Sequence, residues 1–348
     1  MEIPGLSYVF ARTRELLLSP GSDISLASLA TAFVIAMLFT VWKRSRRGRG
    51  TSLRVLLRGF FPKKLLFGAS TRADIGYLVI NTFGAGLLLG WAILSYHTVG
   101  KTTLQMLVSG FGALSPTSLP DWVTMLIGTV ALFVAYELGY WLDHYLSHKI
   151  PFLWEFHKVH HSAEELSPLT NFRVHPVDGL VFVNIMALTM GLTHGGLSYV
   201  FGTPVQQFTI AHSNAIIVVF TYLLAHLHHT SVWIPFTGIW GRILISPAHH
   251  QIHHSTNPIH FDKNMGSCLA IFDWMFGTLH IPAKEREPLT YGVDGMDHPH
   301  AVGEGLVMPV VRAFRHLVPA RFKTAMAPAA QAHSEGAGTP SGGLQGGR

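Results

Sequence analysis

Four short groups of histidine carry the chemistry that this sequence can be read for. His144 and His148 are spaced i, i+4 in HYLSH, and His157, His160 and His161 form HKVHH. His226, His228 and His229 form HLHH, and His250, His253 and His254 form HQIHH just after Pro247. On a helix, residues three and four apart share a face, with Cβ atoms about 5–6 Å apart. HxxxH and HxxHH therefore each turn their imidazoles to one side, where they can ligate one ion or bridge toward a second. A single histidine at a membrane boundary is ordinarily an interface residue, but groups of matched periodicity are a different matter. Buried neutral imidazoles need hydrogen-bond partners, and eight or more packed together without a metal would leave several unsatisfied. A structural zinc takes four ligands and a catalytic one three. So many histidines exceed the needs of one ion, and a dinuclear site is the economical reading. Imidazole suits Zn, Cu, Fe and Ni alike, so residue type does not identify the metal. The absence of HExxH argues against a zincin-type protease.

The elements that must position these groups are set by composition. The chain has 348 residues, 49% hydrophobic and 13% charged, with 22 histidines against 25 Lys+Arg. Soluble domains carry about 25% charged residues, so the bilayer is the better solvent for this chain. A lone Cys268 excludes an internal disulfide framework, a cysteine-ligated zinc ribbon and an iron–sulfur cluster. Residues 24–42 form an uncharged run long enough to cross the hydrocarbon core. Residues 75–96 make a second span, and 122–141 a third with Glu137 as its one acid. Stretches 177–201 and 205–227 read as a hairpin of spans or re-entrant helices, with Gly202 and Pro204 in the turn. Residues 1–23 are mixed in polarity, so no cleavable signal is expected. Gly84, Gly86 and Gly90 fall inside the second span, where close helix packing is the expected role.

Basic residues orient these spans. Lys43, Arg44, Arg46, Arg47, Arg49, Arg54, Arg58, Lys63, Lys64 and Arg72 follow the first span without an acidic residue among them, whereas the 97–121 loop holds only Lys101. By the positive-inside rule the first loop is cytoplasmic, and it suits anionic headgroups better than nucleic acid. The third span and the hairpin then return to the cytoplasm where histidine groups begin.

The ordered set HYLSH, HKVHH and HQIHH resembles the histidine motifs of the fatty acid hydroxylase/sterol desaturase superfamily. Arg173-Val174-His175-Pro176 is similar to its RxHP segment, and 260–266 with 273–278 to its DKNYG…WDRLFGT ending. The resemblance covers about 123–281. It implies an all-α, polytopic membrane helical protein whose cytoplasmic-face, histidine-rich helical domain binds two metals. Segments expected are 1–23; membrane spans with the basic loop at 24–121; the catalytic domain at 122–285; a C-terminal segment at 286–325; and a disordered tail at 326–348. The resemblance implies iron ligation by His144, His148, His157, His160, His161, His250, His253 and His254. His229 stands where many members carry a histidine. Some members have another four residues earlier, where Ala225 stands here, and His226 is the candidate to replace it; His228 is expected to point away.

The function implied is a membrane di-iron oxygenase, using O2 and external electrons to hydroxylate or desaturate an unactivated C–H of a lipid drawn from the bilayer. With no flavin, nicotinamide or haem motif in the chain, electrons are expected from a separate reductase with a cytochrome b5-like or ferredoxin-like carrier. Asp143, Glu155 and Asp262 are candidates to accept hydrogen bonds from outward imidazole nitrogens. His175 is a candidate for such support or for the substrate side, and His260 for orienting a ligand. His194 and His212 are expected to pack or lie at an interface. The competing readings are a membrane zinc hydrolase and a histidine-rich metal-binding or transport protein.

Overall fold

Apolar runs with few charges become the long helices of the protein, described here from a computed structural model covering residues 4–20, 22 and 24–317. The expected disordered tail at 326–348 lies outside the described residues. A short helix α1 (Pro4–Leu18) precedes α2 (Leu26–Arg46), which begins where Ser25 Oγ accepts the Ser28 N–H. Lys43, Arg44 and Arg46 end α2, where cations complement the helix dipole. The basic loop folds into α3 (Leu53–Phe60) and α4 (Lys63–Phe67).

The second span is longer than its apolar core suggests. It comprises α5 (Ala69–Ile80), a π-helical turn at Asn81–Ala85, α6 (Gly86–Leu89) and α7 (Tyr96–Phe111). The expected 97–121 loop is thus helical to Phe111. The helix breaks at 93–95, and Asn184 repairs the break: its Oδ1 accepts the Leu94 N–H at 2.8 Å and its Nδ2 donates to Ala92 O at 3.2 Å. Freed backbone groups need such partners in a membrane.

The third span, α8 (Asp121–Lys149), is roughly 43 Å long at about 1.5 Å per residue, more than a hydrocarbon core of about 30 Å requires. Pro151 then opens α9 (Pro151–His161), and Pro176 opens α10 (Pro176–Phe201). Proline is favoured at the first helical position because its missing N–H would be unsatisfied there anyway. α10 lies between α7 and α8, and small residues permit it. A Cβ on Gly139 of α8 would stand 2.5 Å from Thr189 Oγ1, and one on Gly195 of α10 would stand 2.4 Å from Gly100 O in α7. These glycines do the work expected of Gly84, Gly86 and Gly90, whose Cβ positions meet nothing within 4 Å.

The last apolar stretch does not form a full span. Gly202 ends α10 in the left-handed region, and a two-residue antiparallel ladder follows, β1 (Thr209–Ile210) with β2 (Ser213–Asn214). The chain then enters α11 (Ala215–Phe220), a π-helical turn at Thr221–Ala225 and α12 (His226–His228). That continuous helix is roughly 20 Å long at about 1.5 Å per residue, short of a hydrocarbon core of about 30 Å. It is the re-entrant option of the two expected, and it descends onto the histidine groups. Short helices α13 (Trp240–Ile243), α14 (Pro247–His253) and α15 (Ile271–Phe276) close the domain, and α16 (Val302–Leu317) packs on α9 and α5.

Candidate metal centre

Three helix junctions aim the histidines inward. α8 delivers His144 and His148 from its last turns, α9 carries His157, His160 and His161, and α14 carries His250 and His253 with His254 at its end. Ser246 fixes the start of α14: its Oγ accepts the His249 N–H while His249 Nδ1 accepts the Ser246 N–H. His249 is thus a cap rather than a member of the site. The chain just past α12 brings in His229.

The histidines converge as two adjoining sets. His144, His148, His157, His161 and His253 form one, and His160, His229, His250 and His254 the other; in each, one ligand atom per residue lies within 4.8 Å of all the rest. The sets touch where the His161 and His254 rings stand 4.7 Å apart. In the second set, His229 Nε2 lies 3.3 Å from His160 Nε2 and 3.0 Å from both His250 Nε2 and His254 Nε2.

Outer ring nitrogens of four residues in the five-membered set are held. His144 Nδ1 donates to Met265 O and His253 Nδ1 to Lys263 O, both at 2.8 Å. His157 Nδ1 donates to Asp178 Oδ2 at 3.1 Å, and His148 Nδ1 lies 3.4 Å from Asp262 Oδ1. The inner nitrogens of three of these rings, Nε2 of His144, His157 and His253, are buried without a partner. An outward N–H tied to a carbonyl or carboxylate, with an inward lone pair left bare, is the arrangement of metal-bound histidine. The five-membered set therefore fits a metal by its held rings; the second set fits one by convergence alone, its four Nε2 atoms closing on one point while Nδ1 of His160, His229, His250 and His254 is buried without a partner. Burial, reinforced by neighbouring imidazoles, holds His160, His161, His229, His250, His253 and His254 well below the ordinary imidazole value. Neutral rings are the form that binds metal. The His148 contact, with Lys149 assisting, holds Asp262 down to about 2.

Nine of the ten expected ligands are brought together, and His226 is not. Its Nε2 shares a hydrogen bond with Ser28 Oγ of α2 at 2.9 Å, because it faces α2 on the side of the helix turned from the site. His228, buried beside the sets, stacks on His250 with ring centroids 5.0 Å apart. Of the three supporting carboxylates expected, only Asp262 contacts a site histidine. Glu155 instead pairs with Lys158 and His316, and Asp143 lines a cavity with Oδ1 unpartnered. Asp178 was missed; its only signal was its position two residues after the His175-Pro176 pair. His175 caps α10, accepting the Val177 N–H, and its Nε2 donates to Leu306 O. Arg173 is fully buried against Asp74 at 2.9 Å, so the RxHP segment ties α5 and α16 to the domain. Asp273 organises the turn above His144, its carboxylate accepting the Met265 and Gly266 N–H groups, each at 2.8 Å.

A cavity of about 260 Å³ opens onto both sets, touching His144 and His157 of one and His160, His229 and His250 of the other. Tyr136, Tyr140, Phe182, Ile217 and Phe220 form its apolar wall, and Thr221 and Ala225 place the second π-turn there. Such bulges occur often at functional sites. A second cavity, of about 270 Å³, shares Asn171, Phe172, Val174 and Gly179 with the first and continues along α6 and α10.

Residues 129–278 match the family model described as fatty acid hydroxylase. Alkylglycerol monooxygenase of Danio rerio is 30% identical over 161 residues, 46% of this chain and 32% of the relative. Ornithine lipid hydroxylase of Rhizobium tropici is 29% identical over 165 residues, 47% and 45% of the two chains. A Delta(7)-sterol 5(6)-desaturase of Aspergillus fumigatus is 26% identical over 215 residues, 58% and 60%. The matched part spans about a third of the alkylglycerol monooxygenases, 32% of that from Danio rerio and 36% of that from Homo sapiens. No solved structure matches. The relation to the fatty acid hydroxylase/sterol desaturase superfamily, expected from the motifs, is borne out over this segment, as is the expected helical membrane fold: beyond one two-residue ladder it is helical, and four helices among the described residues are long and apolar enough to cross a membrane.

Proposed function

We propose, with the fatty acid hydroxylase match of residues 129–278 as premise, that the chain is a membrane-bound di-iron oxygenase of a lipid. The net reaction is insertion of one oxygen atom of O2 into an unactivated C–H, or removal of two hydrogens, with two external electrons and two protons balancing the water formed. The observation that carries this reading is the pair of converging histidine sets opening onto one largely apolar cavity.

His144, His148, His157, His161 and His253 would hold one iron, and His160, His229, His250 and His254 the other. When bound, the two ions supply the dioxygen activation that side chains cannot perform. The chain's own residues do the rest. Asp178, Asp262 and the carbonyls of Met265 and Lys263 orient the rings before any ion arrives. Tyr136, Phe182, Ile217 and Phe220 exclude water and grip an alkyl segment beside the histidines. Asp143 Oδ1, unpartnered in the same wall, is a group able to hold a proton there. The cavity is below the usual range for a whole ligand, about 300–1,000 Å³, so it suits the reacting stretch of a lipid whose remainder lies in the second cavity and the bilayer.

The basic segment and the site occupy the same end of the helices: Lys64 pairs with Glu165, and Arg47 with Glu285. With the positive-inside rule this supports a cytoplasmic-facing site, reached there by a separate carrier such as a cytochrome b5-like or ferredoxin-like protein. The test is lipid profiling of cells making the wild-type chain, His160→Ala or His253→Ala, with and without O2. A hydroxylated or desaturated lipid should appear only with wild-type protein and O2. Its absence with folded, iron-loaded protein, or its persistence in either variant, overturns the reading.

A further inference from the structure

His260, His280 and Glu287 stand apart from both histidine sets, with one potential ligand atom from each lying within 4.8 Å of the others. We propose that they form a third metal site, taking a single divalent ion of the zinc class with a structural role. The histidine motifs contain none of these residues; His260 only opens the 260–266 segment, and the structure shows it orienting no site histidine, its ring nitrogens being unpartnered.

Three observations converge. First, His260 is 1% exposed, and both of its ring nitrogens are buried without a hydrogen-bond partner. A buried polar group left in that state is costly, and an ion at Nε2 removes one of the two deficits, leaving the Nδ1 N–H unpartnered. Second, the spacing fits. His260 Nε2 lies 3.7 Å from Glu287 Oε2, too far for a hydrogen bond. Two ligands each about 2.0–2.1 Å from a tetrahedral ion stand about 3.3–3.5 Å apart, so a small closure completes the site. The His280 ring flanks the same point, its centroid 5.0 Å from that of His260.

Third, the ligand-bearing backbone is already pinned. The His280 N–H donates to Asn264 Oδ1 at 2.8 Å, and Asn264 Nδ2 donates to His280 O at 2.9 Å. Glu287 Oε1 accepts the Ala283 N–H at 3.2 Å, leaving Oε2 for an ion. His280 and Glu287 are only partly buried, which leaves an entry path and a position for water. Two histidines and one carboxylate give three protein ligands, one fewer than a closed structural site, so a water must complete the shell and the ion is held less tightly than in a closed site.

The role follows from what the ion would join. Glu287 lies on the irregular segment after the domain's last helix, and His260 on the turn leading to Asp262, Lys263 and Asn264. Asp262 and Lys263 hold His148 and His253 from outside. An ion here clips the trailing chain to the floor of the histidine centre.

The test uses the full chain in detergent, with total metal measured after zinc loading and gel filtration, beside thermal melts with and without zinc. Wild-type protein should hold three ions, and His280→Ala and Glu287→Gln two. Zinc should raise the Tm of iron-loaded wild type by about 4 °C at a hundredfold excess over Kd and leave the Tm of both variants unmoved. Glu287→Gln preserves shape at a partly exposed position, which guards against a folding artefact. Equal metal content in wild type and variants, or an equal zinc shift, overturns the proposal. Loss of both irons with this third ion retained would instead count against the oxygenase reading alone.

Discussion

Replacing His229 and His226 separately by alanine distinguishes a ligand from a packing residue within one HLHH motif. His229 Nε2 lies within 3.3 Å of three other Nε2 atoms, whereas His226 Nε2 meets Ser28 Oγ. A site of four ligands worth about 10–16 kcal/mol assigns roughly 3 kcal/mol to each, or about two decades in metal affinity. His229→Ala should therefore release one iron to a mild chelator, leaving one per chain, and turnover should fall at least about 100-fold, by the same arithmetic. His226→Ala removes one buried hydrogen bond, and Ser28 Oγ still donates to Ser25 O at 2.9 Å. That costs about 1–3 kcal/mol of stability and should lower the Tm while both irons stay. The assay is iron content by elemental analysis after dialysis, paired with a melt. Two irons retained in His229→Ala, or one lost in His226→Ala, would refute the assignment of His229 to the centre and of His226 to the α2 contact.

Asp178→Asn should weaken metal binding at the five-histidine set by about 10–100-fold, the usual cost of losing an orienting carboxylate; a metal titration giving an unchanged affinity would sink the role assigned to Asp178. Metal-free protein should lose stability on acidification. Six site histidines have folded values depressed by burial and neighbouring imidazoles, while the unfolded chain titrates near the ordinary value of about 6.5. Stability is thus fully present above that pH and falls as pH drops through it, by up to about 1.4 kcal/mol per unit for each group. Thermal melts from pH 8 to pH 5 that stay flat without metal would contradict the neutral, buried state of these rings.

The sequence made the histidine-bearing helix ends legible because spacing and Pro signals are local. Pro151, Pro176 and Pro247 each open a helix that serves the site. The first three spans were legible for the same reason, since apolar length needs no tertiary context. What was hidden depended on contacts between distant segments. Asp178 reaches His157 only because α10 lies against α8 and α9. Nothing local marks Asn184 as the repair of the break at 93–95. Gly84, Gly86 and Gly90 misled because a small residue shows that a neighbour can approach, not that one does; close approaches between α7, α8 and α10 fall at Gly139, Gly191 and Gly195.

The division of histidines between the two sets has a helical cause that the motifs contain but do not announce. Successive residues turn about 100° around a helix, so i and i+4 differ by about 40° and HxxxH can serve one ion only. His144 and His148 accordingly fall in one set. In HxxHH the last two residues are about 100° apart around the axis, and the motif must straddle two directions. In α9 the i, i+4 pair His157 and His161 goes to the five-membered set while His160 crosses to the other; in α14 His250 and His254 pair while His253 crosses back. Each HxxHH helix thus stitches both sets together, and displacing either one disturbs both. Counting from these motifs alone, one set receives five histidines and the other three. The second reaches four only through His229, delivered by a helix too short to span the membrane. That helix also forms part of the cavity wall through Ile217, Phe220, Thr221 and Ala225. The element that completes the second set is therefore also a wall of the cavity, so metal binding at that set would be coupled to the shape of the cavity.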